Sequence, residues 1–448
     1  MQTHFPSGGG PDSGAGLLLT PFRAVRYDLS RVGGLANVTS PPYDVIGPGT
    51  LERLRDASPY NVVRLILPTD VPGAAAARTG GEAAAARLRG WLAEGVLAAD
   101  GTPAFYVYEQ RAEGWVQRGL IGLVAVGTDA VHPHEGVMPG PVAGRQELMK
   151  KTRSNLEPIL LVYNSGAAAG GHRGPAGLEG GLPGGHPSVP PGTASRLTDL
   201  TADRQAPLAS VATDDGVTHR LWAVTDPAAQ AAIAADLATR TALIADGHHR
   251  YAAYQQLRDS AGAPGPWDYG LAFLVDSAAY PPRIGAVHRV LPDLPPRQAV
   301  SLARSAFTVR PLTGDLPSAL RALDAEPGAA FVLAGDDSFW LVSRPSEALD
   351  ASVLQDLLIG QAWGIEDNER DVQVAHDPDE AVRAVAEGGT AVLSRPIPFD
   401  VVRRMAARGE RVPRKSTSFG PKPRTGLVLR YWGSSEDSAP TRASSTVL

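Results

Sequence analysis

The sequence predicts an α/β fold built on a mixed sheet. The apolar run Ala242 to Ala245 is followed by the turn-forming pair Asp246-Gly247 and then by the helix formers His248 to Leu257, the order of a strand that turns into a helix. Two strand-like runs, 104–109 and 120–126, are separated by a polar segment and predict a hairpin. The sheet is therefore expected to combine hairpins with strand–helix units.

The remaining elements follow from apolar periodicity and turn residues. Further strands are predicted at Val62–Leu67, Arg220–Val224, Gly270–Val275, Ile284–Leu291, Ala330–Leu333, Ser338–Val342 and Ala391–Leu393, and helices at Gly81–Glu94, Leu354–Leu358 and Ala381–Glu387. The turn between the strands at 330 and 338 is assigned to Gly335-Asp336-Asp337.

Length and local composition suggest several structural units. A chain of 448 residues exceeds a typical single hydrophobic core. Segments 1–16 and 433–448 are rich in small and turn-forming residues and are expected to be disordered tails, and 166–195 reads as a flexible low-complexity insert. A core region is expected over 17–300, with an additional C-terminal α/β unit over 301–432.

Composition excludes several classes of function. The chain has no cysteine, which excludes disulfides, thiol nucleophiles and thiolate metal ligands. No apolar run approaches the about 20 residues that cross a bilayer, and no signal peptide is recognisable, so a cytoplasmic protein without a membrane partner is expected. The formal net charge of −5 argues against general binding of polyanions, and nucleic acid is not an expected partner.

The most informative stretch is the helix start after the strand 242–245. Asp246 is expected to cap this helix, and free backbone N–H groups there attract phosphate or carboxylate. Phosphate would be bound by these groups and by Arg250, with His248 or His249 donating a hydrogen bond and Asp246 acting on a metal or a hydroxyl. A capped helix with exposed polar residues is the alternative interpretation.

A second polar cluster contains His132, His134 and Glu135. The alternating histidines are compatible with a metal site on a strand, although no third ligand is evident. Glu135, beside two histidines, is a candidate general base. A simple polar loop explains the same residues.

Two further segments contain polar residues that could act in catalysis or bind phosphate. Asp44 follows two prolines that fix an extended backbone, so this carboxylate suits either catalysis or simple chain reversal. The basic segment Arg403 to Arg424 contains Lys415-Ser416-Thr417, which could enclose a nucleotide phosphate or lie on a solvated face. No Walker A or protein-kinase glycine-rich loop is present.

Seven short motifs in order resemble one family. They are Pro21-Phe22-Arg23-Ala24, Pro41-Pro42-Tyr43-Asp44-Val45-Ile46, Asn61-Val62-Val63-Arg64-Leu65, Tyr106-Val107-Tyr108-Glu109, Pro133-His134-Glu135, Asp246-Gly247-His248-His249-Arg250-Tyr251, and Lys415-Ser416-Thr417-Ser418-Phe419 through Thr425-Gly426-Leu427-Val428. Together they identify the chain, from about residue 17 to 432, as a member of the bacterial and archaeal family of unknown function 1015 (DUF1015). That family implies no activity.

The motif Asp-Gly-His-His-Arg also resembles the phosphate-binding motif of the ParB/sulfiredoxin superfamily, especially of the archaeal free-serine kinases. The resemblance implies a ParB/sulfiredoxin-like core, with Gly247, His248, His249 and Arg250 on nucleotide phosphate and Asp246 at the hydroxyl or metal. Sulfiredoxin chemistry itself is excluded because the chain lacks cysteine.

These observations predict a nucleotide-binding protein that transfers phosphate from ATP or ADP, with Mg²⁺, to a small-molecule hydroxyl such as that of free L-serine. The expected catalytic residues are Asp246, Glu135 and Asp44; Lys415, Ser416 and Thr417 join the phosphate-binding set, and His134 and Arg145 are expected to contact the substrate. The alternatives are a nucleotide-binding regulatory module without turnover and a metal-dependent hydrolase that uses the histidines.

Overall fold

A computed structural model describes residues 16–68, 74–166, 192–366, 368 and 370–433 of the chain. Nearly all of the tails expected at 1–16 and 433–448, and most of the insert expected at 166–195, lie outside these residues. The helix Thr193–Arg204 begins within the last residues assigned to the insert.

The chain divides into two compact units. The first takes its described residues from Met1–His132, Val137–Pro281 and Pro421–Leu448, and the second from Pro133–Gly136 and Pro282–Gly420. The strands at 283–291 pair with strands of the second unit. The domain bounds expected from the sequence stay a prediction.

Strands and helices alternate through both units, which confirms the mixed α/β class. The strands are β1 Leu19–Thr20, β2 Val25–Tyr27, β3 Leu97–Ala99, β4 Phe105–Ala112, β5 Trp115–Ala125, β6 Val131–His132, β7 Ser154–Asn155, β8 Ile159–Tyr163, β9 Ala209–Ala212, β10 Thr218–Val224, β11 Ala242–Asp246, β12 Tyr269–Asp276, β13 Arg283–Gly285, β14 His288–Leu291, β15 Thr308–Leu312, β16 Ala329–Gly335, β17 Ser338–Arg344, β18 Gln373–Ala375, β19 Thr390–Leu393, β20 Ser418–Gly420 and β21 Arg430–Tyr431.

The helices are α1 Leu29–Val32, α2 Leu35–Val38, α3 Pro48–Ala57, α4 Val63–Ile66, α5 Ala74–Ala93, α6 Pro139–Thr152, α7 Thr193–Arg204, α8 Pro227–Leu237, α9 His248–Ala261, α10 Pro296–Ala303, α11 Leu316–Ala325, α12 Asp350–Ser352, α13 Pro378–Arg383 and α14 Phe399–Ala407. Tyr43–Val45 and Pro266–Asp268 form 3₁₀ turns, and Val353–Ala362 is a π-helix.

The first unit is organised around a nine-stranded mixed sheet. Its strand order is β6-β11-β8-β12-β5-β4-β10-β9, with β1 paired to β5. β11 runs parallel to β6 and β12 runs parallel to β8, whereas the other pairs are antiparallel. The predicted hairpin is β4–β5, and the predicted strand–helix unit is β11–α9. All five residues of β8 are buried. Because β11 pairs with β8 and leads into α9, the helix begins beside a fully buried strand.

The second unit contains a six-stranded antiparallel sheet. Its order is β15-β17-β16-β19-β14-β18. The hairpin predicted around residue 336 joins β16 to β17, and Asp336 and Asp337 both adopt positive φ, 47° and 52°. Two successive left-handed residues make the type I′ turn whose twist matches that of the flanking strands.

The prediction of a strand at Val62–Leu67 is wrong. Val63–Ile66 forms the short helix α4, and the side chain of Asn61 accepts a hydrogen bond from the backbone N–H of Val63 at 3.0 Å. Such a short apolar run has no periodicity that separates a buried strand from a buried helix.

Residues 167–191 are expected to be removable without loss of the fold. A Cβ placed on Gly192 would lie 3.0 Å from the Cβ of Ser165, so the two ends of this segment already meet. Asp236 accepts from the N–H of Ala194 at 2.9 Å, while Arg240 donates to the carbonyl of Ser165 at 2.5 Å.

Replacing 167–191 with a short Gly-Ser linker should change the unfolding free energy by less than about 1 kcal/mol, because closure entropy varies slowly with loop length. Urea denaturation of the two chains measures the change. A large loss of stability would show that the segment contributes packing of its own.

Candidate functional site

The strand β11 passes into helix α9 through a bulge and a left-handed glycine. The pairing of β11 with β8 shifts register between Ile244 and Asp246, and bulges of this kind redirect a side chain next to a functional site. Gly247 then occupies the N-cap position with φ 94°. The prediction that Asp246 caps α9 is therefore wrong: the aspartate ends the strand, and no side chain caps the helix.

Gly247→Ala should lower the unfolding free energy by about 1–3 kcal/mol, since a side chain at positive φ is strained. A Cβ at this position would also lie 2.8 Å from the Cγ2 of Ile159. Gly262→Ala is the matched control because Gly262 has φ +70° with nothing within 4 Å of its Cβ position. Equal losses in the two variants, measured by urea denaturation, would show that the contact with Ile159 adds nothing.

Four charged side chains form a continuous series of ion pairs at the corner between β11 and α9. The ammonium of Lys422 lies 2.6 Å from Asp44 Oδ2 and 2.9 Å from Asp246 Oδ1, and the other oxygen of Asp246 accepts from Arg250. The exposed fraction of the side chains rises from 2% at Arg250 and 7% at Asp246 to 23% at Lys422 and 34% at Asp44. This series of ion pairs therefore runs from the protein interior to its surface.

Asp246 and Lys422 stay ionised because each lies beside side chains of the opposite charge. Burial favours the neutral form of Asp246, but Lys422 and Arg250 outweigh it and lower the pKa of Asp246. Burial likewise disfavours the ammonium of Lys422, and the two carboxylates overcome this and raise its pKa. A buried carboxylate with two cations and an ammonium with two carboxylates stay ionised near neutral pH.

Arg250 lies beneath this corner rather than at the surface. Its Nη1 donates to the carbonyl of Pro158 at 2.5 Å, and its Nη2 donates to Asp246. Its Nε is buried and makes no hydrogen bond to the described residues. Arg250 therefore holds Asp246 in place from below.

The two histidines that begin α9 are half-buried. The Nε2 of His249 accepts a hydrogen bond from the backbone N–H of Met138 at 3.1 Å, which places the proton of a neutral ring on Nδ1. Met138 immediately precedes α6. His249 therefore ties the start of α6 to the start of α9.

A buried carboxylate that was not singled out from the sequence, Glu157, lies between two arginines. Its Oε1 accepts from the N–H of Tyr43 at 3.0 Å and from Thr425 Oγ1 at 3.3 Å, and its Oε2 is 3.8 Å from Arg145 Nη1. The guanidinium of Arg145 stacks 4.2 Å from the centre of the Tyr43 ring. Burial raises the pKa of Glu157, although Arg250 and Arg145 act in the opposite direction.

The second unit brings two of the predicted motifs together. Thr417 Oγ1 donates to Glu135 Oε1 at 2.6 Å and lies 2.9 Å from His134 Nε2, and His134 is fully buried. Lys415 adopts φ 54°, and Ser416 donates to the carbonyl of Pro413 at 2.5 Å.

The predicted site residues thus fall into two groups. Asp44, Arg145 and Asp246–Arg250 belong to the first unit, and His134, Glu135 and Lys415–Thr417 belong to the second. Their roles stay predictions.

In the described part of the chain, no three or more His, Asp or Glu side chains are grouped so that they could hold a metal ion. No helix in the described part of the chain is long and apolar enough to cross a bilayer.

The chain belongs to the family described as protein of unknown function (DUF1015), whose model matches residues 19–170 and 188–358. This confirms the family predicted from the seven motifs. No curated protein matches the chain.

Solved structures give more distant similarities. A mutant free serine kinase in complex with ADP is 16% identical, with a TM-score of 0.36, over 65% of this chain and 84% of that chain. SbnI with a C-terminal truncation from Staphylococcus aureus is 11% identical, with a TM-score of 0.38, over 69% and 87%. A conserved hypothetical protein from Pyrococcus furiosus is 14% identical, with a TM-score of 0.34, over 65% and 88%. Similarity at this level says nothing about what the present chain binds.

Proposed function

We propose that this protein is a nucleotide-dependent phosphotransferase that phosphorylates the hydroxyl group of a small molecule. The proposal is carried by one observation: the ammonium of Lys422 is shared between Asp44 and Asp246 at the corner between β11 and α9. Phosphoryl transfer requires positioned cations for the phosphate and a carboxylate for the acceptor hydroxyl, with little other chemistry from the protein.

The start of α9 is suited to hold phosphate. The first N–H groups of a helix have no acceptor within the helix and carry partial positive charge, and Gly247 brings the backbone to this point without a side chain. Lys422, which is partly exposed, adds a full positive charge beside them. Together they would hold a terminal phosphate of ATP or ADP.

The two carboxylates have separate roles in this proposal. Asp44 is the more exposed and would accept the proton of the acceptor hydroxyl. Asp246, fixed by Arg250, would keep Lys422 oriented. Both oxygens of Asp246 and Oδ2 of Asp44 are already paired with Lys422 or Arg250, so Mg²⁺ would be held mainly by the nucleotide phosphates and by water. When bound, Mg²⁺ supplies charge neutralisation for the transferred phosphoryl group.

The test is incubation of the full chain with ATP or ADP, MgCl₂ and L-serine as the first acceptor, with the phosphorylated product detected by mass spectrometry. Product that depends on both nucleotide and acceptor supports the phosphotransferase. Tight nucleotide binding without product from a panel of small hydroxyl compounds would instead indicate a regulatory nucleotide-binding module. Absence of nucleotide binding, measured by calorimetry, would overturn the proposal.

A further inference from the structure

The segment that carries Lys422 is held mainly by side chains of the large sheet. Lys422 stands between two prolines, and proline has a fixed φ and no backbone N–H to donate. Within 421–425, the isolated bridge between Thr425 and Ser40 is the one backbone pairing to the described residues. The position of Lys422 therefore depends on what the neighbouring side chains bind.

Two buried glutamines bind successive carbonyl groups of this segment. Gln110 Nε2 donates to the carbonyl of Lys422 at 2.9 Å, and Gln117 Nε2 donates to the carbonyl of Pro421 at 2.9 Å and to Gln110 Oε1 at 3.0 Å. The two glutamines lie opposite each other in the β4–β5 hairpin and are 1% and 6% exposed. Because Gln117 occupies the amide oxygen of Gln110, the amide nitrogen of Gln110 faces Lys422.

Tyr108 binds the same segment on the other side of the lysine. It lies two residues before Gln110 on β4, so both side chains are on one face of the sheet. The Tyr108 hydroxyl accepts from the backbone N–H of Arg424 at 3.1 Å and lies 2.7 Å from His219 Nδ1. Burial, together with Arg424, lowers the pKa of His219 to about 4, so the ring is neutral and Nδ1 accepts the tyrosine proton.

These contacts matter because a lysine side chain is long and flexible. The ammonium of Lys422 lies 2.6 Å from Asp44 Oδ2 and 2.9 Å from Asp246 Oδ1, and it can meet both only from a fixed backbone. A displacement of about 1 Å at a reacting group is enough to slow catalysis strongly. Hydrogen bonds on both sides of Lys422 remove this freedom before a nucleotide arrives.

We propose that Gln110, Gln117 and Tyr108 are positioning residues that hold Lys422 in place for the nucleotide phosphate. The inference rests on the proposed function, in which Lys422 binds that phosphate. The three side chains act through the backbone of residues 421–424 and not through contact with the nucleotide.

The experiment follows the titration of Lys422 itself, which requires no nucleotide. The chain has four lysines, so acetylation of the full chain between about pH 8 and 11, read by mass spectrometry of its peptides, gives a separate pH profile for each. Burial acts against the ammonium of Lys422, but Asp246 and Asp44 outweigh it and raise its pKa above the ordinary lysine value of about 10.4. Lys150, which is exposed, serves as the internal reference for the reagent.

Gln110→Met keeps much of the side-chain length and removes the hydrogen bonds. The pKa of Lys422 should fall by about one unit or more, because the ammonium is no longer held beside both carboxylates, and nucleotide affinity should fall about tenfold. Gln230→Met is the matched control, because Gln230 Nε2 donates to the carbonyls of Pro103 at 3.0 Å and Val224 at 2.9 Å. It loses bonds of the same kind and should leave both quantities unchanged.

Tyr108→Phe is the second variant, should Gln110→Met fail to fold. It keeps the ring that packs 4.9 Å from the Phe273 ring and loses the hydroxyl, so the same fall in the pKa of Lys422 is expected. A purely structural role would lower stability and leave Lys422 between its carboxylates. An unchanged pKa of Lys422 in either folded variant would therefore overturn the inference.

The proposed function fails separately from this inference. If the pKa of Lys422 depends on Gln110 but the unaltered chain binds no nucleotide, the positioning of Lys422 stands and the phosphotransferase does not. If the unaltered chain transfers phosphate and Gln110→Met changes neither the pKa of Lys422 nor nucleotide affinity, only the positioning role is lost.

Discussion

Replacement of Lys422 by methionine is expected to reduce phosphate transfer by about 100- to 1,000-fold, the usual effect of removing a group that stabilises transition-state charge. Methionine keeps much of the length of the side chain but has no charge, so Asp44 and Asp246 lose the ammonium that lies 2.6 and 2.9 Å from them. Both carboxylates then repel an incoming phosphate. The measurement is kcat/KM for the nucleotide, together with nucleotide affinity by calorimetry.

Lys151→Met is the matched control for this substitution. Lys151 lies in α6 and forms an ion pair with Glu82 at 3.0 Å at the surface, where such pairs contribute little. Its rate should equal that of the unaltered chain. If Lys422→Met is folded and still transfers phosphate at the unaltered rate, Lys422 has no part in holding the phosphate.

The largest effect on stability is expected at Arg250. Arg250→Met should lower the unfolding free energy by about 3–5 kcal/mol, because breaking a buried ion pair leaves one partner without its counter-charge. Arg250 is 2% exposed and donates both to Asp246 and to the carbonyl of Pro158. Arg31→Met, at a side chain that is 57% exposed and 3.6 Å from Asp28, should stay within about 0.5 kcal/mol.

The pH dependence of this loss follows from the lowered pKa of Asp246. A carboxyl whose pKa is lower in the folded state stabilises the fold above its unfolded pKa, about 3.9, and this stabilisation disappears as pH falls through the folded pKa. The difference in unfolding free energy between the unaltered chain and Arg250→Met should therefore shrink in acid. Urea denaturation over a pH series measures it, and a difference that stays constant in acid would mean that Asp246 is not the partner responsible.

The local sequence predicted the strand, turn and helix at the corner between β11 and α9, but not the side-chain contacts made there. The run from Ala242 to Arg250 was enough to predict a strand, a tight turn and a helix, because these depend on residues within one or two turns of each other. The prediction of Asp246 as the N-cap was wrong, because the bulge in β11 and the ion pair between Asp246 and Lys422 arise from tertiary structure.

Long-range partners explain the residues that were missed. Lys422 lies in the basic segment 403–424, where its charge does not distinguish it from its neighbours, and no local pattern marks Glu157. Their roles depend on contacts across 378 residues for Lys422 with Asp44 and 114 for Glu157 with Tyr43. A single sequence has no periodicity that reports such pairs. By contrast, the motifs around His134 and Thr417 were both singled out, and the structure joins them by hydrogen bonds.

The late position of Lys422 also bears on the biosynthesis of the protein. All nine strands of the large sheet end by Asp276, so on a ribosome they emerge well before the 139 residues Pro282–Gly420 of the second unit and Lys422. During that interval, Asp44 and Asp246 lack their shared ammonium. A nascent chain can therefore pair the strands of its sheet while its charged corner is still incomplete, and the site is assembled after the scaffold that carries it.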